Sequence, residues 1–224
     1  MYKYLLRHYL VIGSILSSAQ KNSIIWGSGI IKKDDNIREA KFLAVRGPKT
    51  RNAVLRKGFA CPEIYGDPAL LMPNYYNPKI KKSYKLGIIP HYVDFQEVND
   101  RFKDNKEVQV INLLTANVEE TTQEILACEK TISSSLHGVI VSHAYSIPSL
   151  WVKFSNKLSG DDIKFYDYFE SLELNFEEAI ERDSQQMSLE DVDTLFKDFE
   201  TVTLPKKRNI VALQDSLISS CPFN

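Results

Sequence analysis

Short apolar runs alternate with amphipathic stretches along most of the chain, and this alternation limits the folds that are open to it. Apolar runs bounded by turn signals predict buried strands that fill or begin within 23–29, 40–47, 63–73, 86–94, 106–115, 131–135 and 148–153. Apolar residues at helical spacing predict helices at 48–58, 117–130, 136–147, 188–200 and 205–220. Strands that alternate with helices form βαβ units, so we expect an α/β fold with parallel sheets.

A polar stretch before the middle of the chain predicts a division into two parts. Residues 74–85, "NYYNPKIKKSYK", combine asparagines, a proline and a lysine cluster, which is typical of a linker. With 224 residues, of which 43% are hydrophobic, the chain can bury one large core or two small ones. We therefore predict two domains, at 1–78 and 79–224.

The charge and the cysteines argue against several classes of function. The 28 basic and 29 acidic residues are interspersed and give a net charge of −1, whereas a nucleic-acid surface needs a basic excess on one face. Cys61, Cys128 and Cys221 are widely spaced and form no CxxC pair, which argues against a disulfide framework and a zinc site. We expect a reducing compartment, no nucleic-acid partner and no metal.

The start of the chain has two interpretations. Residues 1–20, "MYKYLLRHYLVIGSILSSAQ", combine basic residues, an apolar stretch and a small-residue ending, as a secretory signal does. Gly13 and the serines dilute the apolar stretch, so we favour a buried strand or helix at the start of an α/β domain. No apolar run is long enough for a spanning helix. We accordingly expect a cytoplasmic protein.

The segment 133–138, "SSSLHG", lies where a predicted strand gives way to a predicted helix. Backbone N–H groups at a helix start and serine hydroxyls can bind an anion. Gly138 would let the backbone approach that ligand, and His137 could act as an acid or base. The alternative is that the serines cap the helix and that His137 is a satisfied buried histidine, and the residues alone favour this alternative. The serines are Ser133, Ser134 and Ser135.

Two further strand ends carry groups that could contact a substrate. Arg46 immediately precedes a predicted helix, where a basic residue opposes the helix dipole, and its guanidinium could grip a carboxylate or phosphate. Arg51, in the first turn of that helix, could assist, and surface ion pairs are the alternative for both arginines. The turn formed by Gly27, Ser28 and Gly29 could bring the backbone to a substrate, although such turns are common.

Histidines and aromatic residues give weaker signals. His91 and Asp94 follow a predicted strand and could touch a sugar hydroxyl, whereas a loop histidine is more often exposed to solvent. His143 points away from His137 on the predicted helix, so we expect it to be structural. Tyr166 and Tyr168 could stack on a sugar ring, but such a cluster more often packs in a core.

Taken together and in this order, these segments resemble the polysaccharide pyruvyl transferase family. The matching stretches, between about residues 11 and 171, are "VIGSIL", "IIWGSGI", "FLAVRGPKTRNAVLRKG", "IYGDPALLMP", "LGIIPHYVD", "SSSLHGVIVSHAYSIPSLWV" and "IKFYDYFES". Their joint order and spacing make the match fairly specific, and the closest likeness is to the exopolysaccharide ketal-pyruvate transferases.

The resemblance implies a fold, a reaction and a site. The fold would be GT-B-like, with two Rossmann-like domains. The reaction would move the enolpyruvyl carbons of phosphoenolpyruvate, without a cofactor, onto a sugar of a polysaccharide or its lipid-linked precursor. The family's donor-associated arginine and Leu-His pair match Arg46 and Leu136–His137, so Arg46 and His137 become catalytic candidates. The resemblance also implies that the other residues of this segment line a donor pocket, namely Ser133, Ser134, Ser135, Leu136 and Gly138. A lipid-linked acceptor would imply peripheral association with the inner membrane face.

Two departures from the family pattern bear on activity. Many members carry an arginine before Leu-His, where this chain has Ser135, and a serine supplies no charge. A glycine–aspartate segment that usually lies upstream is absent, so we expect a shortened N-terminal domain. Two alternatives stay open, a GT-B glycosyltransferase that uses a nucleotide sugar and a catalytically degenerate scaffold in polysaccharide biosynthesis.

Overall fold

A computed structural model describes residues 6–223, which fold into α-helices and two parallel β-sheets. The expected α/β class is therefore confirmed. The chain forms two compact units, and each combines segments that are distant in sequence. The first unit holds residues 6–71, 160–175 and 206–223, and the second holds residues 72–159 and 176–205.

The first unit is built on a three-stranded parallel sheet with the strand order β1-β2-β3. The strands are β1 (His8–Leu10), β2 (Ser23–Trp26) and β3 (Lys41–Ala44), and the longer helices are α1 (Pro48–Arg56), α6 (Ile163–Ser171) and α8 (Lys207–Ser219). Proline fits the first position of α1 because an N–H there would have no partner within the helix. Ile25, Ile30 and Val54 are fully buried in the core of this unit.

The second unit contains a five-stranded parallel sheet with the order β5-β4-β6-β7-β8. Its strands are β4 (Tyr84–Ile89), β5 (Val108–Val110), β6 (Cys128–Ser133), β7 (Ser149–Lys153) and β8 (Ile180–Glu181), and its helices are α2 (Met72–Tyr75), α3 (Phe95–Phe102), α4 (Val118–Leu126), α5 (Leu136–Ala144) and α7 (Leu189–Asp198). The central strands are covered on both faces, which explains their continuous apolar runs. Eight of the nine residues of α5 are buried, and His137 is the exception.

Most predicted elements are confirmed, but the strand expected within 63–73 does not form, because Pro68–Leu71 adopt a 3-10 helix and Tyr65 makes only an isolated bridge with Val45. Three helices, α2, α3 and α6, were not predicted, and α2 is a single short turn at the start of the expected linker. In α3, only Val98 and Phe102 are buried, so the apolar period is too sparse to recognise. In α6, burial on nearly all sides removes the contrast between a polar and an apolar face. Irregular backbone spans 76–83, within the predicted linker. The division into domains at 1–78 and 79–224 stays a prediction.

The start of the described chain forms a strand rather than a helix. β1 pairs in parallel with β2, and Leu10 is buried, which agrees with the favoured interpretation of this stretch. The basic beginning of the signal-like segment, residues 1–5, lies outside the described residues. Among residues 6–223, we find no helix of the length and apolar character needed to cross a bilayer.

Candidate active site

The parallel strands of the second unit bring three loops to one edge of the sheet, where their carboxyl ends meet. The loop after β4 contains His91 and Asp94, and the loop after β7 contains Ser155. Between them, β6 leads through the serine segment (residues 133–135) into α5. Because β6 lies between β4 and β7 in the sheet, the three loops are neighbours.

Two members of the serine segment hold these loops together. Ser133 donates a hydrogen bond from Oγ to the Ile89 carbonyl at 2.7 Å and accepts one from the Ser135 N–H at 3.0 Å. The Oγ of Ser134 accepts a hydrogen bond from the His91 N–H at 2.8 Å. Both serine side chains are buried. Ser133 and Ser134 therefore fix the backbone between β4 and β6.

Ser135 differs from its two neighbours. It is the N-cap residue of α5 and is only half-buried, yet its side chain makes no capping hydrogen bond. The interpretation that the serines cap this helix is therefore wrong for the residue in the capping position. Within residues 6–223, the Ser135 hydroxyl has no hydrogen-bond partner. It stands at a helix start, whose backbone N–H groups give a partial positive charge.

His137 is the second residue of α5 and the one that retains partial exposure in this helix. Leu136 before it is buried and anchors the start of the helix. His137 and Ser135 are thus placed in the same helix turn, with both side chains half-buried. This turn offers a hydroxyl, an imidazole and helix N–H groups at the carboxyl edge of the sheet.

Gly138 has a packing role that sequence reasoning missed. A Cβ atom at this position would overlap Ser133 Oγ and would lie 2.8 Å from Ile89 Cγ2. The absence of a side chain therefore lets α5 approach the ends of β6 and β4. This contact involves protein atoms, and the predicted role of Gly138 in binding a substrate stays a prediction.

The loop after β4 supplies a second buried link. Asp94 Oδ1 accepts a hydrogen bond from Ser155 Oγ at 2.5 Å, which joins the loops after β4 and β7 across the end of β6. Asp94 is 2% exposed, and its Oδ2 has no hydrogen-bond partner among the described residues. The ring of half-buried His91 packs on Tyr92 with 4.4 Å between the ring centroids. The sequence pointed to Asp94 but gave no signal for Ser155, which lies 61 positions away.

His143 has the structural role expected of it. It is fully buried, and its Nε2 lies 3.1 Å from the Thr203 carbonyl. Burial lowers the pKa of His143 to about 4, although hydrogen bonds with the backbone of Ser149 and Thr203 oppose this shift. The side chain is therefore neutral near pH 7 and belongs to the core.

Arg46 lies in the first unit, at the end of β3, and is fully buried. Its Nε donates to Asp167 Oδ2 at 3.0 Å, and its two terminal nitrogens donate to Ser14 Oγ at 2.6 Å and to the Ile30 carbonyl at 2.7 Å. Asp167 also accepts hydrogen bonds from the N–H and Oγ of Thr50. Arg46 thus joins the loops after β1 and β2 to α6, and its alternative as a surface ion pair is wrong.

The glycine turn after β2 accommodates these buried groups. A Cβ on Gly29 would overlap the Arg46 guanidinium, and one on Gly27 would overlap the Pro68 ring. Gly27 also has a φ of +91°, which favours glycine. Ser28 is buried and donates a hydrogen bond to the Gly13 carbonyl at 2.8 Å. The contacts of this turn are with protein groups, and its predicted contact with a substrate stays a prediction.

Arg51 makes local contacts on α1. Its Nε donates to the Cys61 carbonyl at 3.3 Å, and its guanidinium lies 3.8 Å from the Glu63 carboxylate. This arrangement matches the ion-pair alternative for Arg51.

The suggested stacking of Tyr168 on a sugar is wrong, because this side chain is fully buried. Burial, and secondly the charge of Asp67, raises the pKa of Tyr168 well above its usual value.

The structure thus assigns the predicted site residues to the two units. The second unit brings together the serine segment, Leu136, His137, Gly138 and His91, and the first contains Arg46, Arg51 and the turn 27–29.

Residues 6–223 contain no group of three or more His, Cys, Asp or Glu side chains that could hold a metal ion. The cysteines are free, and burial raises the pKa of Cys61 to about 11 and that of Cys128 to about 12.

Comparison with known proteins gives a family and a relative. Residues 2–156 match the profile of a family described as polysaccharide pyruvyl transferase. Over 170 residues, the chain is 36% identical to an uncharacterized protein of Acanthamoeba polyphaga mimivirus. The alignment covers 72% of this chain but 58% of that relative, so the chain spans less than two thirds of the relative's length. No solved structure matches the chain.

Proposed function

The chain belongs to the polysaccharide pyruvyl transferase family, and on that premise we propose that it transfers the pyruvyl group of phosphoenolpyruvate to a sugar. The product is a pyruvate ketal that bridges two hydroxyls of the sugar, and phosphate is released. The observation that supports the donor site is the uncapped start of α5, where the hydroxyl of Ser135 and the ring of His137 are half-buried in one helix turn.

The chemistry of phosphoenolpyruvate suits this helix start. The donor carries a phosphate and a carboxylate, and helix N–H groups together with a hydroxyl favour such anions. His137 can donate a hydrogen bond to the phosphate or a proton to it, because its imidazole ring carries N–H groups. Ser133 and Ser134 hold the backbone of this turn in place, so they position the site without contacting the donor.

The reaction requires two additions at the same carbon. One sugar hydroxyl adds to C2 of the enolpyruvyl group, and the methylene carbon gains a proton and becomes a methyl group. The bond between C2 and the phosphate oxygen then breaks, and the second hydroxyl takes its place and closes the ketal. The protons of the two hydroxyls balance the new methyl C–H bond and the released hydrogen phosphate. His137 stabilises or protonates the leaving phosphate in this scheme.

Arg46 enters the proposal as a positioning residue. Its guanidinium is fully buried and is bonded to Asp167, Ser14 and the Ile30 carbonyl. It therefore organises the loops after the strands of the first unit. Ser135 stands where many family members carry an arginine before Leu-His, and we propose that its hydroxyl provides a neutral hydrogen bond to the donor.

We propose that the two units correspond to the two Rossmann-like domains of a GT-B-like enzyme. The acceptor is a saccharide of a cell-surface polysaccharide or its lipid-linked precursor. A lipid-linked acceptor places the reaction at the inner face of the membrane, with the protein peripherally associated.

A transfer assay tests this function. The protein is incubated with phosphoenolpyruvate and a panel of saccharides that carry pairs of free hydroxyls. Released phosphate is measured, and the saccharides are analysed by mass spectrometry. We expect phosphate release that depends on a saccharide, together with a gain in mass of one pyruvate ketal. Transfer of a sugar from a nucleotide sugar to the same panel, without use of phosphoenolpyruvate, would instead identify a glycosyltransferase.

Matched histidine variants connect the activity to α5. His137→Gln removes the acid–base group from the helix start and should lower the rate of phosphate release by about 100-fold or more. His8→Gln is the control, because His8 lies on β1 of the first unit, where its Nε2 is 2.6 Å from Ser23 Oγ. Equal activity of the two variants would remove His137 from the mechanism.

A further inference from the structure

A surface cavity opens beside the carboxyl ends of β7 and β8 in the second unit. Its volume is about 240 Å³, and it is lined by residues 153–156 at the end of β7 and by residues 181–183 at the end of β8. Ligands of α/β proteins bind at this edge of a parallel sheet. The volume is slightly below the roughly 300–1,000 Å³ of sites for drug-sized ligands, so the cavity suits a compact ligand.

The wall of the cavity carries hydrogen-bonding groups of several kinds. Glu181 and Asp183 contribute carboxylates, and Asn156 and Arg182 contribute an amide and a guanidinium. All four residues are exposed, and the apolar ring of Phe154 beside them is half-buried. The carboxylates accept hydrogen bonds, the guanidinium donates them, and the amide does both. A compact ring that carries several hydroxyls satisfies all of these groups, and a saccharide is such a ligand.

The charges around the cavity favour a neutral ligand. Two basic side chains of the wall, Lys153 and Arg182, are matched by two acidic ones, Glu181 and Asp183. Lys153 also pairs directly with Glu181 at 3.7 Å. A phosphate or a carboxylate would therefore gain no net positive field here. The buried carboxylate of Asp94, which lies one hydrogen bond behind Ser155 in the wall, disfavours an anion further.

Ser155 contributes a hydrogen-bond acceptor to the wall. Its Oγ donates to Asp94 Oδ1 at 2.5 Å and accepts a hydrogen bond from the Lys157 N–H at 3.1 Å. A hydroxyl has one proton and two lone pairs, so one lone pair of Ser155 is left for a ligand. Because its proton is directed to a carboxylate, Ser155 is arranged to accept a hydrogen bond from an O–H group rather than to donate one. This again selects a hydroxyl over an anion.

Asp94 is placed to hold that hydroxyl. It is 2% exposed and occupies the N-cap position of α3, yet its side chain makes no capping hydrogen bond. Its Oδ2 has no hydrogen-bond partner among the described residues, so the bond to Ser155 is the defined contact of this carboxylate. That bond crosses the end of β6, which leads into the start of α5. The cavity therefore neighbours the proposed donor site, as the addition of a sugar hydroxyl to the donor requires.

We propose that the cavity beside β7 and β8 binds the saccharide acceptor. Ser155 accepts a hydrogen bond from one sugar hydroxyl, and Asp94 is the positioning residue that fixes the direction of the Ser155 proton. The polar side chains of residues 156 and 181–183 bind further hydroxyls. The role of this saccharide as the acceptor rests on the proposed function, whereas the saccharide site itself rests on the cavity and its polar wall.

Binding of simple saccharides in the absence of the donor tests the site. Methyl pyranosides of glucose, galactose and mannose are the probes, and titrations followed by saturation-transfer NMR give their affinities. Asn156→Ala and Asp183→Asn change exposed residues of the wall, so the variants should fold. We expect each to weaken binding of at least one glycoside roughly two- to tenfold. Asp198→Asn is the control, because Asp198 is an exposed carboxylate at the end of α7, outside the cavity.

Two further variants test the buried link. Ser155→Ala removes the acceptor, and Asp94→Asn lets an amide donate to Ser155 Oγ, which reverses that hydrogen bond. In the transfer assay, we expect both variants to raise KM for the saccharide and to leave KM for phosphoenolpyruvate unchanged. Ser188→Ala is the control, because it removes a serine–aspartate bond of 2.6 Å at the start of α7. Equal changes in both KM values would show a merely structural role for Asp94.

The outcomes separate this inference from the proposed function. If a glycoside binds through the cavity but phosphoenolpyruvate is neither bound nor consumed, the saccharide site stands and the proposed function fails. If transfer occurs but Asn156→Ala and Asp183→Asn bind every glycoside as the wild type does, the function stands and the inference is overturned. Loss of phosphoenolpyruvate binding in place of saccharide binding, or no binding of any glycoside by the wild type, also overturns it.

A footprinting experiment on the wild-type protein needs no variant. Exposed carboxylates are coupled to glycine ethyl ester with and without each glycoside at saturating concentration, and the modified positions are identified by mass spectrometry. We expect a bound glycoside to protect Glu181 and Asp183 and to leave Asp198 equally reactive. Unchanged labelling of Glu181 and Asp183 with every glycoside would overturn the inference, even if Asp94→Asn does not fold.

Discussion

The Asp167 carboxylate accepts a hydrogen bond of 3.0 Å from Nε of Arg46, although the two residues are 121 positions apart in the chain. Both side chains are fully buried. The same carboxylate accepts hydrogen bonds from the N–H and the Oγ of Thr50, at 2.8 and 2.6 Å. Asp167 therefore fixes the connection between β3 and α1 from a helix that lies far along the sequence.

Asp167→Asn should strongly destabilise the protein. Asparagine preserves the size of the side chain but leaves the buried Arg46 guanidinium without a counter-charge. Removing one partner of a buried ion pair typically costs about 3–5 kcal/mol. We expect a loss of this size in the free energy of unfolding, measured with urea. Glu170→Gln is the control, because its exposed pair with Lys49 should contribute less than about 1 kcal/mol. Equal losses for the two variants would contradict a special role for the buried pair.

Ser133→Ala should destabilise the protein, whereas Ser135→Ala should leave its stability almost unchanged. Ser133→Ala leaves the Ile89 carbonyl and the Ser135 N–H without their hydroxyl partner, which should cost about 1–3 kcal/mol of stability. Ser135→Ala removes a half-buried hydroxyl that bonds to no described residue, so stability should change by less than about 0.5 kcal/mol.

The same pair of variants should differ in ligand binding. We expect Ser135→Ala to bind phosphoenolpyruvate more weakly while its melting temperature stays at the wild-type value. Thermal denaturation and calorimetric titration of both variants measure the two effects. A stable Ser135→Ala protein with unchanged affinity would remove this hydroxyl from the donor site.

Gly138→Ala should destabilise the protein through a steric overlap. The new methyl group would collide with Ser133 Oγ and with the Ile89 side chain, and overpacking of this kind costs about 1–3 kcal/mol. Adding Ser133→Ala removes the nearest colliding atom, so the double variant should lose less stability than the sum of the two single variants. Additive losses in urea unfolding would show that this contact does not limit the approach of α5.

His143 should make stability depend on pH between about 6.5 and 4. Burial lowers the pKa of the folded histidine from 6.5 to about 4, so the unfolded chain binds the proton more readily. The free energy of unfolding should therefore decrease as the pH falls through this range, by roughly 3 kcal/mol in total. Urea unfolding at several pH values measures the slope. His143→Gln should flatten this slope, and an unchanged slope in His143→Gln would contradict this assignment.

Most strands, and the junction between β6 and α5, could be predicted from sequence because their signals are local. Continuous apolar runs mark strands that are covered on both faces, and the sequence around His137 joins a strand to a helix within a few residues. The structural role of each serine in the segment 133–135 could not be predicted. Ser133 and Ser134 bond to the backbone of another strand's end, 44 and 43 positions away, and only the folded chain shows this.

The role of Arg46 was only partly predictable for the same reason. Its position before a helix marked it as unusual, and the structure shows why a cation is tolerated there. Asp167 lies in α6, where aromatic and charged residues are buried together and no amphipathic period remains. A side chain whose partner is so distant in sequence gives no local signal, and the same applies to Ser155 beside Asp94.

The central claim is that the protein binds phosphoenolpyruvate, and thermal denaturation with and without this ligand tests it most directly. A ligand present at 100 times its dissociation constant stabilises a fold by about 2.7 kcal/mol, which is readily detected. We predict a higher melting temperature with phosphoenolpyruvate, a smaller shift in His137→Gln, and no shift with a panel of nucleotide sugars. Stabilisation by a nucleotide sugar, with no effect of phosphoenolpyruvate at any concentration, would contradict the proposed function.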